Sequence, residues 1–189
     1  MKRLAISVAI LLAGAASSLA TSPVPRTSPD FVISEASGQE TRLSYYKGKV
    51  VVVEFLLIRC PHCWRVAQTI EKLQKELGPG SFQAIGIAFD NRVDAGVVSR
   101  FVNYFHLTYP VGYATSTDVD KFLGRSLIER VMVPQIVVID PEGVIRAQSR
   151  PVGEKDLYTE AYLRQVVLQL QHAGRESSDT GKGRNESRR

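Results

Sequence analysis

The chain has 189 residues, of which 44% are hydrophobic and 23% are charged, a composition ordinary for one globular domain with additional ends. Its formal charge of +5 comes mostly from the two ends. Lys2 and Arg3 lie at the start and a basic tail follows Gly174, so the middle of the chain is nearly neutral. This distribution excludes the extended basic surface of a nucleic-acid-binding protein.

The first twenty residues have the form of a secretory signal peptide. A basic start at residues 1–3 precedes an almost wholly apolar stretch at 4–16, and the small residues Ser18 and Ala20 precede a cleavage site. The alternative is an uncleaved membrane anchor, for which the apolar stretch is short against a span of roughly 20 residues. We expect a periplasmic or secreted protein, in a compartment where disulfides persist.

The next part of the chain alternates strand and helix patterns. Residues 21–29 contain several prolines and predict an extended linker. The domain at 30–173 then begins with a small hairpin. Hydrophobic periodicity and turn residues predict the elements that follow: a buried strand at 50–57, a helix from Pro61 to Gly78, a strand at 82–89, a helix at 97–105, a short strand at 109–113 and a short helix at 118–123.

The last third predicts a hairpin and a closing helix. A strand at 133–140, the tight turn Pro141-Glu142-Gly143 and a return strand at 144–148 are followed by a helical stripe at 163–170. Residues 174–189 are polar and predict a disordered tail. This order of elements favours an α/β sandwich with a mixed sheet.

The only two cysteines, Cys60 and Cys63, directly follow the buried strand at 50–57. Pro61 suits the first turn of a helix, because it has no N–H to lose and its φ is preset. Cys60 then lies at a helix N-terminus, where free N–H groups and the helix dipole favour the thiolate that attacks disulfides. A bridge across so short a loop would add little stability, so we interpret the pair as a redox-active dithiol.

The order strand, Cys-x-x-Cys, helix, strand, helix and then a proline that opens a strand–turn–strand resembles the thioredoxin fold. Within that fold, the segment at 30–55 with its Tyr45-Tyr46-Lys47-Gly48-Lys49 centre, and the run Ile139-Asp140-Pro141-Glu142-Gly143, resemble the exported TlpA/ResA-like thiol–disulfide oxidoreductases of the AhpC/TSA-Redoxin superfamily. The likeness covers about residues 28–172. It implies a thioredoxin-like three-layer α/β/α sandwich with a mixed central sheet and an N-terminal β-hairpin extension.

In this reading Cys60 is the nucleophile and Cys63 is the resolving thiol that breaks a mixed disulfide. Arg59 and His62 would favour negative charge on the Cys60 sulfur. Pro61 and His62 also match DsbA-like oxidases, whereas the body of the chain resembles a family with many reductases. The direction of electron flow stays open, and so does the alternative that His62 is a solvated surface imidazole.

Two further site residues follow from the resemblance. Glu54 interrupts the buried strand where family members often carry an acid that relays a proton to the resolving cysteine, and burial would raise its pKa toward neutrality. The alternative is an acid at the sheet edge, paired with a lysine. Pro134 resembles the cis-proline that faces the redox pair and presents the Val133 backbone to a bound substrate strand. The alternative is a trans proline that enters a strand.

The sequence departs from the family pattern on the approach to the redox pair. The aromatic residues expected there are replaced by Phe55-Leu56-Leu57-Ile58-Arg59, and Trp64 follows the second cysteine instead. We assign Trp64 to the substrate-binding surface together with Val133 and Pro134. The shape and charge of that surface are expected to differ from those of relatives.

Two other functions on the same fold are alternatives. A peroxiredoxin-like peroxidase would carry Thr or Ser three residues before its reactive cysteine, where this chain has Leu57. A copper chaperone could use Cys60, Cys63 and either His62 or His106 as soft ligands. Relatives with copper sites usually space the thiols by three residues and add a distal histidine in a loop, a pattern that this sequence does not match.

The sequence therefore predicts a monomeric, exported thiol–disulfide oxidoreductase. No bound cofactor or metal is expected, because the Cys60–Cys63 dithiol is itself the redox group. The expected partners are protein thiols or disulfides of the exported compartment, such as apocytochrome c or a membrane redox protein, and no nucleic acid.

Overall fold

The computed structural model describes residues 22–125, 132–150 and 156–186. The predicted signal peptide and its cleavage site lie outside these residues.

A single mixed sheet of eight strands forms the centre of the described part of the chain. Its spatial order is β1-β8-β7-β4-β5-β6-β2-β3. β4 pairs in parallel with β5 and antiparallel with β7, so it is a central strand. The strands are β1 Arg26–Thr27, β2 Val32–Glu35, β3 Glu40–Arg42, β4 Val50–Leu56, β5 Phe82–Ala88, β6 Val111–Tyr113, β7 Gln135–Ile139 and β8 Val144–Gln148.

Four α-helices lie within the described residues: α1 Pro61–Leu77, α2 Ala95–Phe105, α3 Ser116–Leu123 and α4 Glu160–Glu186. Short 3-10 helices span Leu43–Tyr46 and Asp156–Tyr158. α1 begins with Pro61 in its first turn and ends at Gly78, which has a φ of 68°. Both signals match the helix boundaries that the sequence predicts.

The alternation of side chains along β4 divides the core into two layers. On one face, Val52 and Leu56 lie in a cluster with residues of α1, α2 and α4, and this cluster contains Cys63. On the other face, Val53 and Phe55 pack with α3 and the N-terminal hairpin. The structure thus confirms the three-layer thioredoxin-like sandwich with its mixed sheet, and β2 and β3 form the expected N-terminal hairpin.

The structure differs from the predictions at both ends of the domain. The linker predicted at 21–29 contains β1, which pairs with β8 and adds a strand to the edge of the sheet; two residues are too short to show a strand pattern in sequence. The tail predicted as disordered from Gly174 has a helical backbone to Glu186. No proline interrupts it, so the helix that packs on the sheet upstream can continue through a polar sequence.

Candidate redox site

Cys60 joins β4 to α1 as the N-cap residue of the helix. Its half-buried Sγ accepts a hydrogen bond from the Cys63 backbone N–H at 3.4 Å. The Cys60 carbonyl accepts from the Trp64 N–H at 3.1 Å, which closes the first turn. Because the amides at a helix N-terminus carry partial positive charge, the sulfur lies where a thiolate is stabilised.

Cys63 is fully buried in the core layer between the sheet and α1. Burial raises the pKa of its thiol well above the ordinary value, and the hydrogen bond with the Cys60 side chain and the nearby Glu54 charge raise it further. The two thiols therefore occupy different environments. Cys60 faces a polar helix end, whereas Cys63 needs a base before it can act as a nucleophile.

Glu54 is buried in the centre of β4, between Gly86 of β5 and Ile136 of β7. By strand alternation it faces the same layer as Val52 and Leu56, the layer that contains Cys63. Desolvation raises the pKa of its carboxyl well above the ordinary value, and the Cys60 charge adds to the effect. Neither carboxyl oxygen meets a protein hydrogen-bond donor in the described part of the chain. The alternative of an acid at the sheet edge is therefore wrong.

The Val133–Pro134 peptide bond is cis, as the resemblance implies. The Cys60 Sγ lies 4.0 Å from the Val133 carbonyl oxygen, at the outer limit of an S–H···O contact. Two side chains hold this segment. The Tyr158 hydroxyl donates to the Pro134 carbonyl at 2.6 Å, and Gln135 Nε2 donates to the Met132 carbonyl at 2.6 Å. The redox pair thus faces a fixed backbone edge, whose use by a substrate stays a prediction.

The two residues proposed to tune Cys60 do not contact its sulfur. Within the described residues, that sulfur interacts with the amide and thiol of Cys63 and with the Val133 carbonyl. His62 is exposed, and its Nδ1 lies 3.0 Å from a guanidinium nitrogen of Arg65. Arg59 is exposed one residue before the pair. Any influence of these groups on the sulfur acts through space, and their tuning role stays a prediction.

Trp64 is half-buried, one residue after the redox pair. Its indole Nε1–H donates to the Ile58 carbonyl at 2.6 Å, and its ring lies 5.8 Å from that of Phe105 on α2. The predicted substrate-binding role of Trp64 stays a prediction. The structure also shows that Trp64 contacts the loop that precedes Cys60, through its hydrogen bond to Ile58.

Sequence reasoning missed three residues that hold the site together. Asp90 accepts a hydrogen bond from the Ile58 N–H at 2.8 Å. Tyr158 and Gln135 support the cis-proline segment, as described above. Each of these side chains forms a hydrogen bond with the backbone of a loop or of a segment distant in sequence. Neither hydrophobic periodicity nor motif spacing could identify such a contact.

The described residues contain no cluster of three or more His, Cys, Asp or Glu side chains arranged to hold a metal ion. Among the helices of residues 22–125, 132–150 and 156–186, none combines the length and apolarity needed to cross a membrane.

Comparison with known proteins agrees with this architecture. Residues 24–148 match the profile of the AhpC/TSA family. Thiol-disulfide oxidoreductase ResA of Bacillus cereus is 22% identical over 144 residues, which cover 76% of this chain and 79% of ResA. The chloroplastic Protein SUPPRESSOR OF QUENCHING 1 of Arabidopsis thaliana is 30% identical over 115 residues, 59% of this chain but only 10% of the plant protein.

The solved thioredoxin domain of a thiol-disulfide oxidoreductase from Bacteroides vulgatus superposes with a TM-score of 0.60 at 25% identity. The superposition covers 79% of this chain and 99% of that domain. Together with the family match over 24–148, the fold and the redox pair lead to one assignment. The chain belongs to the AhpC/TSA family and is a thioredoxin-fold protein of the TlpA/ResA-like type.

Proposed function

We propose that this chain is an exported thiol–disulfide oxidoreductase that exchanges a Cys60–Cys63 disulfide with protein substrates. The observation that carries the proposal is the unequal environment of the two sulfurs. The Cys60 sulfur accepts a hydrogen bond from an amide at the helix N-terminus and lies beside the cis-proline segment. Cys63 is buried in the layer that Glu54 faces. The names of the ResA and Bacteroides vulgatus relatives support the same activity.

Oxidation of a substrate proceeds in two exchanges. A substrate thiolate attacks the Cys60 sulfur, an S–S bond forms between them, and Cys63 leaves as a thiolate. The second substrate thiolate then attacks the substrate sulfur of this mixed disulfide, and Cys60 leaves as a thiolate. Two electrons pass from the substrate dithiol to the enzyme disulfide. Reduction of a substrate is the same sequence reversed.

Glu54 supplies or accepts the proton at the buried sulfur. When Cys63 leaves as a thiolate in a dry environment, the protonated carboxyl of Glu54 donates to it. In the reverse direction the Glu54 carboxylate takes the Cys63 proton, so that Cys63 can attack the mixed disulfide. The raised pKa of Glu54 suits this exchange, because general acid–base catalysis is most efficient when the pKa of the group is close to the ambient pH. No bound cofactor or metal takes part in this scheme.

The proposed partners are exported proteins with accessible thiols or disulfides, for which apocytochrome c or a membrane redox protein are examples. The signal-like start of the sequence supports export, as does the persistence of disulfides outside the cytosol. N-terminal sequencing of protein from a periplasmic or secreted fraction tests this part. A new N-terminus after Ala20 is expected, and retention of residues 1–20 in a membrane fraction would favour the anchor instead.

The activity is tested by equilibrating the protein with reduced and oxidised glutathione and trapping free thiols by alkylation. Wild type should convert between two forms that differ by two thiols. A potential near that of thioredoxin (about −270 mV) would indicate a reductase, and one near DsbA (about −120 mV) an oxidase. Cys63→Ser should accumulate a mixed disulfide through Cys60, whereas Cys60→Ser should not. A wild-type protein that shows no two-thiol transition would refute the proposal.

A peroxiredoxin-like peroxidase is the alternative function on this fold, so the same preparation should be tested with hydrogen peroxide. The position three residues before Cys60 is Leu57, which has no hydroxyl to orient a peroxide. Slow peroxide consumption is expected, no faster than that of a free thiol. Rapid turnover of peroxide would instead indicate that the protein is a peroxidase.

A further inference from the structure

One residue in the loop before Cys60 is held by side chains from two other elements. The Ile58 N–H donates to Asp90 Oδ2 at 2.8 Å, and the Ile58 carbonyl accepts from Trp64 Nε1 at 2.6 Å. Asp90 lies just after β5, and Trp64 lies in the first turn of α1. We propose that this Ile58 clamp, formed by Asp90, Trp64 and the backbone of Ile58, positions Cys60 and thereby sets the redox equilibrium of the pair. The inference rests on the proposed function.

The clamp acts where the sheet no longer supports the chain. β4 ends at Leu56, whose carbonyl accepts the Phe89 N–H at 3.2 Å. Beyond that residue, the ladder gives the half-buried Ile58 no partner strand, and a backbone group shielded from water without a partner is costly. The clamp satisfies both Ile58 groups with side chains. The Cys60 N–H then bonds to the Leu57 carbonyl at 3.0 Å, which completes the turn into the helix.

The clamp is anchored on both sides. Trp64 packs against Phe105, which in turn contacts Phe101 at a ring distance of 5.0 Å within α2. Asp90 is half-buried and follows the fully buried strand β5. The loop before Cys60 therefore has little freedom to drift relative to the helix end. A sub-ångström shift would lengthen the contact of 3.4 Å between the Cys60 Sγ and the Cys63 amide.

This contact favours the thiolate over the disulfide, because the negative sulfur gains most from the amide. Loss of the clamp should therefore destabilise the reduced form and make the disulfide a weaker oxidant. Asp90 and Trp64 touch neither the reacting sulfurs nor a substrate in this role. They are positioning residues, and Trp64 gains a function that its predicted place on the substrate surface does not require.

The test compares Asp90→Ala, Asp90→Asn, Trp64→Phe and the double variant Asp90→Ala/Trp64→Phe in the full protein. Asp90→Ala should lower the equilibrium constant for oxidation of glutathione about tenfold, which corresponds to about 30 mV. Trp64→Phe keeps an aromatic ring on Phe105 but removes the N–H, so a similar loss is expected. Asp90→Asn retains an oxygen that accepts from Ile58 and should stay near wild type.

A second readout needs no partner. Each variant is also made with Cys63→Ser, and the rate of Cys60 labelling by iodoacetamide is measured. Loss of the clamp should slow labelling several-fold. Asn91→Ala is the matched control, because Asn91 is exposed in the same loop and makes no side-chain hydrogen bond within the described residues. Melting temperatures of all variants separate a change in redox equilibrium from loss of fold.

The double variant should be little worse than either single variant, since both contacts act through Ile58. An unchanged equilibrium constant in Asp90→Ala and Trp64→Phe would overturn the clamp. So would equal losses in Asp90→Asn and Asp90→Ala, because the oxygen that Asn retains would then make no difference. If wild type does not exchange with glutathione, the proposed function fails, while the labelling rates still decide the clamp.

Discussion

Glu54→Leu should make the protein more stable and less active, with a stability gain that grows with pH. The wild-type carboxyl is buried and its pKa is raised by desolvation. The unfolded chain releases this proton near the ordinary pKa of 4.5, whereas the folded chain keeps it to higher pH. The contribution of Glu54 to stability is therefore fully present below the unfolded pKa and is lost as pH rises through the folded pKa.

The size of the effect follows from proton linkage. A single titrating group changes the free energy of unfolding by at most about 1.4 kcal/mol per pH unit. Between pH 5 and pH 7 the gain of Glu54→Leu over wild type should therefore grow by up to about 2.7 kcal/mol. Asp30 has the opposite effect on the pH dependence of stability, because the pKa of its carboxyl is lowered. Burial alone would raise that pKa, but the hydrogen bonds from Ser44 and Phe31 and the contact with Arg42 outweigh burial. Its contribution cancels in the comparison, because it is common to both proteins.

The measurement is urea unfolding of the oxidised proteins at pH 5, 6, 7 and 8, with Glu54→Gln as the matched control. The oxidised form removes thiol titration while burial of the carboxyl remains. Both variants should show the same flattened pH dependence, and both should slow the resolving step in glutathione exchange. Parallel stability curves for wild type and Glu54→Leu across this range would refute the reasoning, because Glu54 would then titrate alike in both states.

Three further predictions concern the scaffold. Tyr158→Phe removes the donor to the Pro134 carbonyl and should cost about 1 kcal/mol in urea unfolding. Gly112→Ala would place a methyl group 2.5 Å from the Ser34 carbonyl oxygen and should cost about 1–3 kcal/mol, whereas Gly80→Ala, with open space around it, should cost far less. Thr115→Ala removes the N-cap of α3, whose hydroxyl accepts the Asp118 N–H at 3.1 Å; a loss of about 1 kcal/mol in thermal unfolding is expected, and no change would contradict the cap.

The features that can be predicted from sequence are those that depend on local patterns of residues. The apolar run at 50–57, Pro61 and the Gly78 stop predict β4 and α1, and the structure places both within one residue of these bounds. Short elements could not be predicted, because they depend on contacts outside their own segment. β1 has two residues and exists because β8 offers it an edge, so only the tertiary structure can determine it.

The site shows the same division. Cys60 and Cys63 are predictable because strand, proline and helix fix their places along the chain. Asp90 is not, because its partner Ile58 lies 32 residues earlier and meets it only where β4 and β5 end side by side. The amide of Gln135 donates to the Met132 carbonyl just before β7 and to the Arg150 carbonyl after β8. An exposed glutamine that makes neither contact would look the same in sequence.

We interpret the burial of Glu54 as a stability cost that the proposed proton transfer would explain. A central strand with apolar neighbours on both sides would be more stable with Leu at this position, since buried polar groups without protein partners are destabilising. Yet Cys63, in the layer that Glu54 faces, has a thiol pKa raised by the same dry surroundings, and it cannot leave or attack without a proton donor or acceptor. The low polarity raises the pKa of both groups, so that a thiolate formed at Cys63 readily takes a proton from a protonated carboxyl nearby. Under the proposed mechanism, the core layer that would be most stable without Glu54 is therefore the layer in which Cys63 needs a proton donor or acceptor.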